Sequence, residues 1–364
     1  MLIQHYFSED YPQARDKFVA ACRIEGADVE RFVNPASGPD NIELSTEVAW
    51  FGPRSASRLL VLVSGAHGVE ALPGSACQTG MIASGKMRDL PPDTAVLMIH
   101  VINCHGAAHQ RRNTDGNVDL CRNFLDFKQP LPTRPSYEDL HDALACPDAD
   151  GPRHEAATAF LADFAKRFGP DAYVEALMGG QYRHADGFSF GGTEPSWSNQ
   201  TLCTILERYA RNAQQVAFID YHSGLGPYAY GIAVTMHTDA DLARARRWFG
   251  EWIIAPNQRS ADAPTKGHLV FGHTTDGYLR ALPQAQVTSI VLEFGTYPPP
   301  QTLPTMLLDH WLVHHGDPQS AQGRQIKEKL LRLHYPLDPE WRQAVWDRSA
   351  QVVGQALRGL VTPT

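Results

Sequence analysis

A mixed, mostly parallel α/β sheet flanked by helices is the fold class this sequence predicts, formed as one domain over residues 1–364. Three observations predict it. Short apolar, β-branched runs bounded by turn residues recur at 59–63, 94–102, 216–221 and 286–292, which is the pattern of buried strands. The first two are separated by a helix-sized segment, and strand, helix, strand at that spacing is a βαβ unit with parallel pairing. Hydrophobic residues make up 43% of 364 positions, enough to bury a large core, and no linker-like stretch divides the chain.

In chain order, 9–24 reads as an opening helix. Strands follow at 29–33 and 44–50, parted by the turn-rich Asn34-Pro35-Ala36-Ser37-Gly38-Pro39-Asp40. The strand at 59–63 leads into a helix over 70–84, then the strand at 94–102. Residues 103–153 read mainly as loop, 154–168 as helix, and 178–200 as a long Gly-rich, aromatic loop. Ordered loops of that length are often functional. A helix at 200–212 precedes the strand at 216–221. A strand at 230–236, a helix at 239–251 and the strand at 286–292 come next. Helices close the chain at 303–314, 317–333 and 338–358. Residues 1–55 supply N-terminal elements, and the helices of 317–364 pack on the same domain.

A net charge of −8 argues against nucleic acid as the main partner. Six cysteines at 22, 77, 104, 121, 146 and 203, without CxxC pairing, suit neither a disulfide scaffold nor a cysteine zinc ribbon. The amino end shows no basic start followed by an apolar run, and no stretch of about 18 apolar residues could span a bilayer. A cytoplasmic location away from membranes is the expectation.

Chemistry-bearing residues gather at the ends of the apolar runs. The run at 59–63 ends in Ser64-Gly65-Ala66-His67-Gly68-Val69-Glu70, which sets a His and a Glu three residues apart at the carboxyl end of a strand. Open α/β sheets bind ligands at that edge. The run at 216–221 passes directly into His222-Ser223-Gly224, and the run at 286–292 into Glu293-Phe294-Gly295. Two His and one Glu are a zinc donor set that leaves a fourth position open. A second carboxylate, Glu293, could take a proton from water activated by that ion. Arg111, Arg112 and Arg122 lie in a polar loop after the second strand, suited to an oxyanion or a substrate carboxylate.

His67-x-x-Glu70, the later Tyr221-His222-Ser223-Gly224-Leu225-Gly226-Pro227-Tyr228, the Asp119-Leu120-Cys121-Arg122-Asn123-Phe124 segment, Gly187-Phe188-Ser189-Phe190-Gly191-Gly192 and Leu292-Glu293-Phe294-Gly295-Thr296 together resemble the zinc carboxypeptidase superfamily, peptidase family M14, in its DUF2817 branch. The likeness runs over about residues 55–300. It implies a carboxypeptidase-like sheet and an amide hydrolase holding one Zn²⁺ ion through His67, Glu70 and His222. Glu293 would be the general base and then the proton donor to the leaving amine. Arg112, or Arg111 in its place, would face the oxyanion. Arg122, with Arg111 and Asn123, would meet the carboxylate of a peptide or small-molecule substrate, and Tyr278 or Tyr230 would stand for the family's capping tyrosine. Cys121 departs from the family's usual Asn, and a thiol is a weaker hydrogen-bonding group than an amide. The 152 residues from Glu70 to His222 exceed the expected spacing, so the segment 125–200 is expected to cover the cleft differently.

Three other readings compete. Aspartoacylase-like and desuccinylase-like relatives use similar ligands to deacylate amino acids. A non-catalytic metal- or ligand-binding domain could use the same scaffold. Gly187-Phe188-Ser189-Phe190-Gly191 fits the G-x-S-x-G pattern, but neither a buried strand before it nor a helix after it is expected.

Overall fold

The computed structural model describes residues 3–256 and 270–362. Within them seven strands form one sheet: β1 (Val29–Ser37), β2 (Glu43–Phe51), β3 (Arg58–Ser64), β4 (Thr94–His100), β5 (Gln215–Ser223), β6 (Gly231–Val234) and β7 (Gln286–Phe294). Their spatial order is β1-β2-β4-β3-β5-β7-β6. Pairing is parallel for β3 with β4, β3 with β5 and β5 with β7, and antiparallel for β1 with β2, β2 with β4 and β6 with β7. Only β2 and β6 run against the rest, so the sheet is mixed and mostly parallel, as the sequence predicts.

The apolar runs form the centre because both faces of the sheet are covered. Along β3, Leu60 and Leu62 face one core with Met81, Phe18, Phe249 and Trp341, whereas Leu59, Val61 and Val63 face another with Leu202, Ile205, Phe218 and Tyr278. Successive side chains point to opposite faces, so this split follows from residue parity. Helices Tyr11–Ile24, Ala71–Ala83, Asp239–Phe249 and Pro339–Val361 cover the first face. Helices Trp197–Ala210 and Thr274–Ala281 cover the second. Side chains close several helix starts: Asp10 accepts from the Gln13 N–H at 2.8 Å, and Ser320 from Gly323 at 2.9 Å.

The structure departs from the sequence reading in the long middle segment. Short helices occupy Cys104–Ala108, Pro135–Glu138 and His141–Leu144 inside the predicted 103–153 loop. Helix Pro170–Met178 is absent from the predicted elements; it directly follows helix Gly151–Phe168, with Gly169 at φ +92° as the break. Helix Thr274–Ala281, also absent from them, is only two turns long and carries Gly277. Residue 268, one of the histidines before the last strand, lies outside the described residues.

What the fold does for the site is a matter of adjacency. β3, β5 and β7 are neighbours and parallel, so their carboxyl ends share one edge. No helix among the described residues is long and apolar enough to cross a membrane.

Candidate metal centre

After Ser64 the chain must leave the sheet within two residues, and Gly65 does so at φ +72°. His67 then precedes a single 3₁₀ turn, Gly68–Glu70, that opens into helix Ala71–Ala83. Gly68 packs against the backbone of helix Cys104–Ala108, where an added Cβ would meet Gly106 C at 2.0 Å. No larger residue fits, so His67 and Glu70 are pinned to the floor of the site.

β5 carries Asp220 and His222, two residues apart and therefore on one face. In the β5–β7 register His222 stands directly opposite Glu293. Glu293 shares that face, because Leu292 and Phe294 belong to the core on the other side.

The side chains converge. His67 Nδ1 lies 3.0 Å from Glu70 Oε1, His222 Nδ1 lies 3.0 Å from Glu70 Oε2, and the two Nδ1 atoms are 3.2 Å apart. On the far side of each ring stands a buried aspartate. His67 Nε2 is 3.1 Å from Asp119 Oδ1. His222 Nε2 is 3.3 Å from Asp220 Oδ1, within ion-pair range though off the line of a good hydrogen bond. Asp220 is itself held by the Tyr278 and Thr274 hydroxyls, which donate to its Oδ2 at 3.0 and 3.2 Å.

Each imidazole has an acceptor on both sides: Glu70 at Nδ1 and an aspartate beyond Nε2. Ionised carboxylates only accept, so the metal-free rings are drawn towards the doubly protonated state, in a site where His67, Glu70 and His222 are each at most 5% exposed. Only positive charge relieves that arrangement. The protonation equilibria say the same. Burial and then Arg112 push His67 down, yet Cys121, Glu70 and Asp119 raise it to about 10. Burial likewise opposes ionisation of Glu70, and the two imidazoles still hold it well below the usual carboxylate range. A divalent cation supplies in one atom the charge that two protons would bring. An ion set among Glu70 and the two Nδ1 atoms would take the Nδ1 lone pairs and leave each Nε2 proton facing its aspartate. Two imidazole nitrogens and a carboxylate, with carboxylates behind the imidazoles, fit Zn²⁺.

Glu293 differs from the other carboxylates. Its Oε2 is buried and without a partner, and burial raises it to about 7, with Glu70 adding to the rise and His222, His67 and Arg112 opposing it. Arg112 bridges two acids, with Nη1 at 3.1 Å from Glu70 Oε1 and Nε at 3.2 Å from Asp119 Oδ2. Arg111 donates to Asn117 Oδ1 at 3.2 Å. It lines a narrow cleft beside the centre with Arg112, Ser189, Asp309, His310 and His334.

Other residues singled out from the sequence stand elsewhere. Arg122 gives Nε to Met178 O at 2.8 Å and Nη1 to Cys121 O at 2.7 Å. Asn123 spends its amide on the carbonyls of Gly191 and Glu194 and on the Ser196 N–H. Tyr278 is 1% exposed and stacks on Phe218 with ring centroids 4.0 Å apart, so the capping role is corrected: it backs Asp220 from inside the core. Tyr230 is 48% exposed and lies near Arg348. Ser189 has φ +50° and lies in the 179–196 loop, with neither a strand before it nor a helix after it. Phe188 and Ser189 reach the cleft, so the long middle segment does form part of its wall.

Three residues at the centre went unassigned in the sequence reading. Asp220 was visible two positions before His222, and i, i+2 parity on a strand would have found it. Asp119 stands two residues before Cys121, where no strand pattern marks it. Cys121 replaces an amide of the resembled family, and its sulfur and one ring nitrogen of each of His67 and His222 all lie within 4.8 Å of one another.

Comparison with known proteins adds the following. Residues 7–348 match the family model described as a protein of unknown function, DUF2817. No curated protein matches. Among solved structures, thrombin activatable fibrinolysis inhibitor is 10% identical over 98% of this chain and 75% of its own, with a TM-score of 0.50. Carboxypeptidase A from Helicoverpa armigera is 13% identical over 89% of this chain and 73% of its own, with a TM-score of 0.45. Succinylglutamate desuccinylase from Chromobacterium violaceum is 13% identical over 91% and 76%, with a TM-score of 0.36. At 10% identity the likeness to the first of these is one of fold.

Proposed function

The chain belongs to the DUF2817 family, and from that premise we propose that it is a zinc-dependent hydrolase of amide bonds. One observation carries the reading: two imidazole Nδ1 atoms and the Glu70 carboxylate meet at 3.0–3.2 Å, each imidazole backed by a buried aspartate. His67, Glu70 and His222 would hold one Zn²⁺. When bound, the ion supplies a Lewis-acidic centre that polarises a carbonyl and lowers the pKa of water to about 7.

The remaining steps belong to side chains. Glu293 stands beside His222 with a free carboxylate oxygen and a pKa raised to about 7. It accepts a proton from the attacking water and returns it to the leaving nitrogen, a task that favours a pKa near the working pH. Arg112 is fixed beside the centre by Glu70 and Asp119, and its positive charge there would stabilise the oxygen that becomes anionic. The substrate carboxylate falls to Arg111, which lines the cleft, whereas Arg122 is turned to the carbonyls of Met178 and Cys121. Asn123 serves by fixing the 191–196 loop rather than by touching substrate.

Deacylation of N-acyl amino acids is a second reading, favoured by the narrow cleft and by a thiol at residue 121. The test is hydrolysis of a panel of peptides and N-acyl amino acids, with and without a chelator. Chelator-sensitive turnover of at least one class is expected, and the class identifies the bond. Turnover insensitive to metal removal and restoration would overturn the proposal.

A further inference from the structure

We infer that Cys121 is a fourth protein ligand of the ion, so that the resting centre is closed by two histidines, a glutamate and a thiolate. The inference rests on the metal site proposed above and concerns what fills the position left open there. The Cys121 sulfur and one ring nitrogen of each of His67 and His222 lie within 4.8 Å of one another, on three separate segments of chain. Cys121 is 2% exposed and faces both imidazoles.

Its backbone is fixed at both ends. The Cys121 N–H donates at 3.0 Å to Asp119 Oδ1, the same oxygen that receives His67 Nε2–H at 3.1 Å. Its carbonyl accepts from Arg122 Nη1 at 2.7 Å. One carboxylate therefore orients a ligand imidazole and the thiol together. An outer partner shared in this way sets the relative position of two donors.

The donor chemistry agrees. Thiolate sulfur is a strong zinc ligand, and four protein donors make a closed tetrahedral site, whereas three leave room for water. On ligation the S–H bond would break, its proton passing to solvent and the sulfur lone pair to the ion. Substrate or water would then reach the ion by displacing Cys121 or by expanding the coordination to five. The thiol in place of an amide thus changes the state of the resting centre as well as substrate recognition.

Co²⁺ replaces Zn²⁺ as a spectroscopic probe in the full chain, the Cys121→Ser and Cys121→Ala variants and the His67→Ala variant. A sulfur-to-cobalt charge-transfer band in the near ultraviolet is expected for the wild type. It should be lost in both Cys121 variants while they still bind one ion per chain. X-ray absorption of the zinc form should show one sulfur at about 2.3 Å. An ion bound without the band, or a band that persists in Cys121→Ser, would overturn the thiolate ligand and leave the three-residue site standing. No ion bound by the wild type would overturn both.

Discussion

Glu293 is where sequence and physical chemistry meet most closely. A carboxylate that ends an apolar strand is costly unless something compensates it. Here His222 on the neighbouring strand, His67 and Arg112 offset part of that cost, and burial still leaves Glu293 at about 7. Glu293→Gln keeps the shape and removes the base. Turnover is expected to fall by about 10²- to 10⁴-fold, a usual worth of general acid–base catalysis, with metal content unchanged. Unchanged turnover by steady-state assay would remove Glu293 from the mechanism. A second consequence concerns stability of the metal-free protein. A carboxyl with a higher pKa folded than unfolded binds its proton more tightly when folded. Its contribution is full below the ordinary value of 4.5 and is lost as pH rises through about 7. Thermal melts of chelator-treated protein should therefore show the wild type losing stability relative to Glu293→Gln between pH 5 and pH 8. These two pH values are about two units below and one above the folded pKa. Parallel curves would contradict the raised pKa. The structure brings together His67, Glu70, His222 and Glu293, which follow or end apolar runs in the sequence. The partners of Arg122, Asn123 and Tyr278 lie on other segments, and spacing alone does not reveal them.

At the scale of elements, the site depends on parity and register. Asp220 lies two residues before His222 on β5 and stands 3.3 Å behind its ring, while helix Thr274–Ala281 supplies the hydroxyls of Tyr278 and Thr274 that hold Asp220. Asp220→Asn retains the size and loses the charge. Metal affinity is expected to drop by about 10- to 100-fold, the usual cost of removing an outer carboxylate. Competition titration against a chromophoric chelator measures this, and an unaltered affinity would show that the Asp220 contact does no orienting. The long strands and the three closing helices were legible from periodicity. Helix Thr274–Ala281 was not, since two turns with Gly277 inside offer little period to read. Helix Pro170–Met178 is masked in sequence by Gly169-Pro170, which reads as a turn yet also serves as a helix start. The short helices between 104 and 144 are too brief for any hydrophobic period, and their burial comes from neighbours remote in the chain.

For the whole molecule, function follows from strand order. β3, β5 and β7 are far apart in sequence and adjacent in the sheet, so three strand ends deliver His67 with Glu70, His222 and Glu293 to one edge. Parallel crossovers made that edge predictable, whereas the antiparallel flank of β1 and β2 against β4 was not. The segment between Glu70 and His222 does double work. It contributes Arg112, Asp119 and Cys121 to the centre, and through Phe188 and Ser189 it walls the cleft. The central claim is that His67, Glu70 and His222 share one divalent ion. Elemental analysis of purified wild type, His67→Ala and His222→Ala, dialysed against the same zinc buffer, tests it most directly. One zinc per chain is expected in the wild type and a large loss in each variant whose circular dichroism shows it folded. Equal zinc in folded variants and wild type, or none in the wild type, would contradict it.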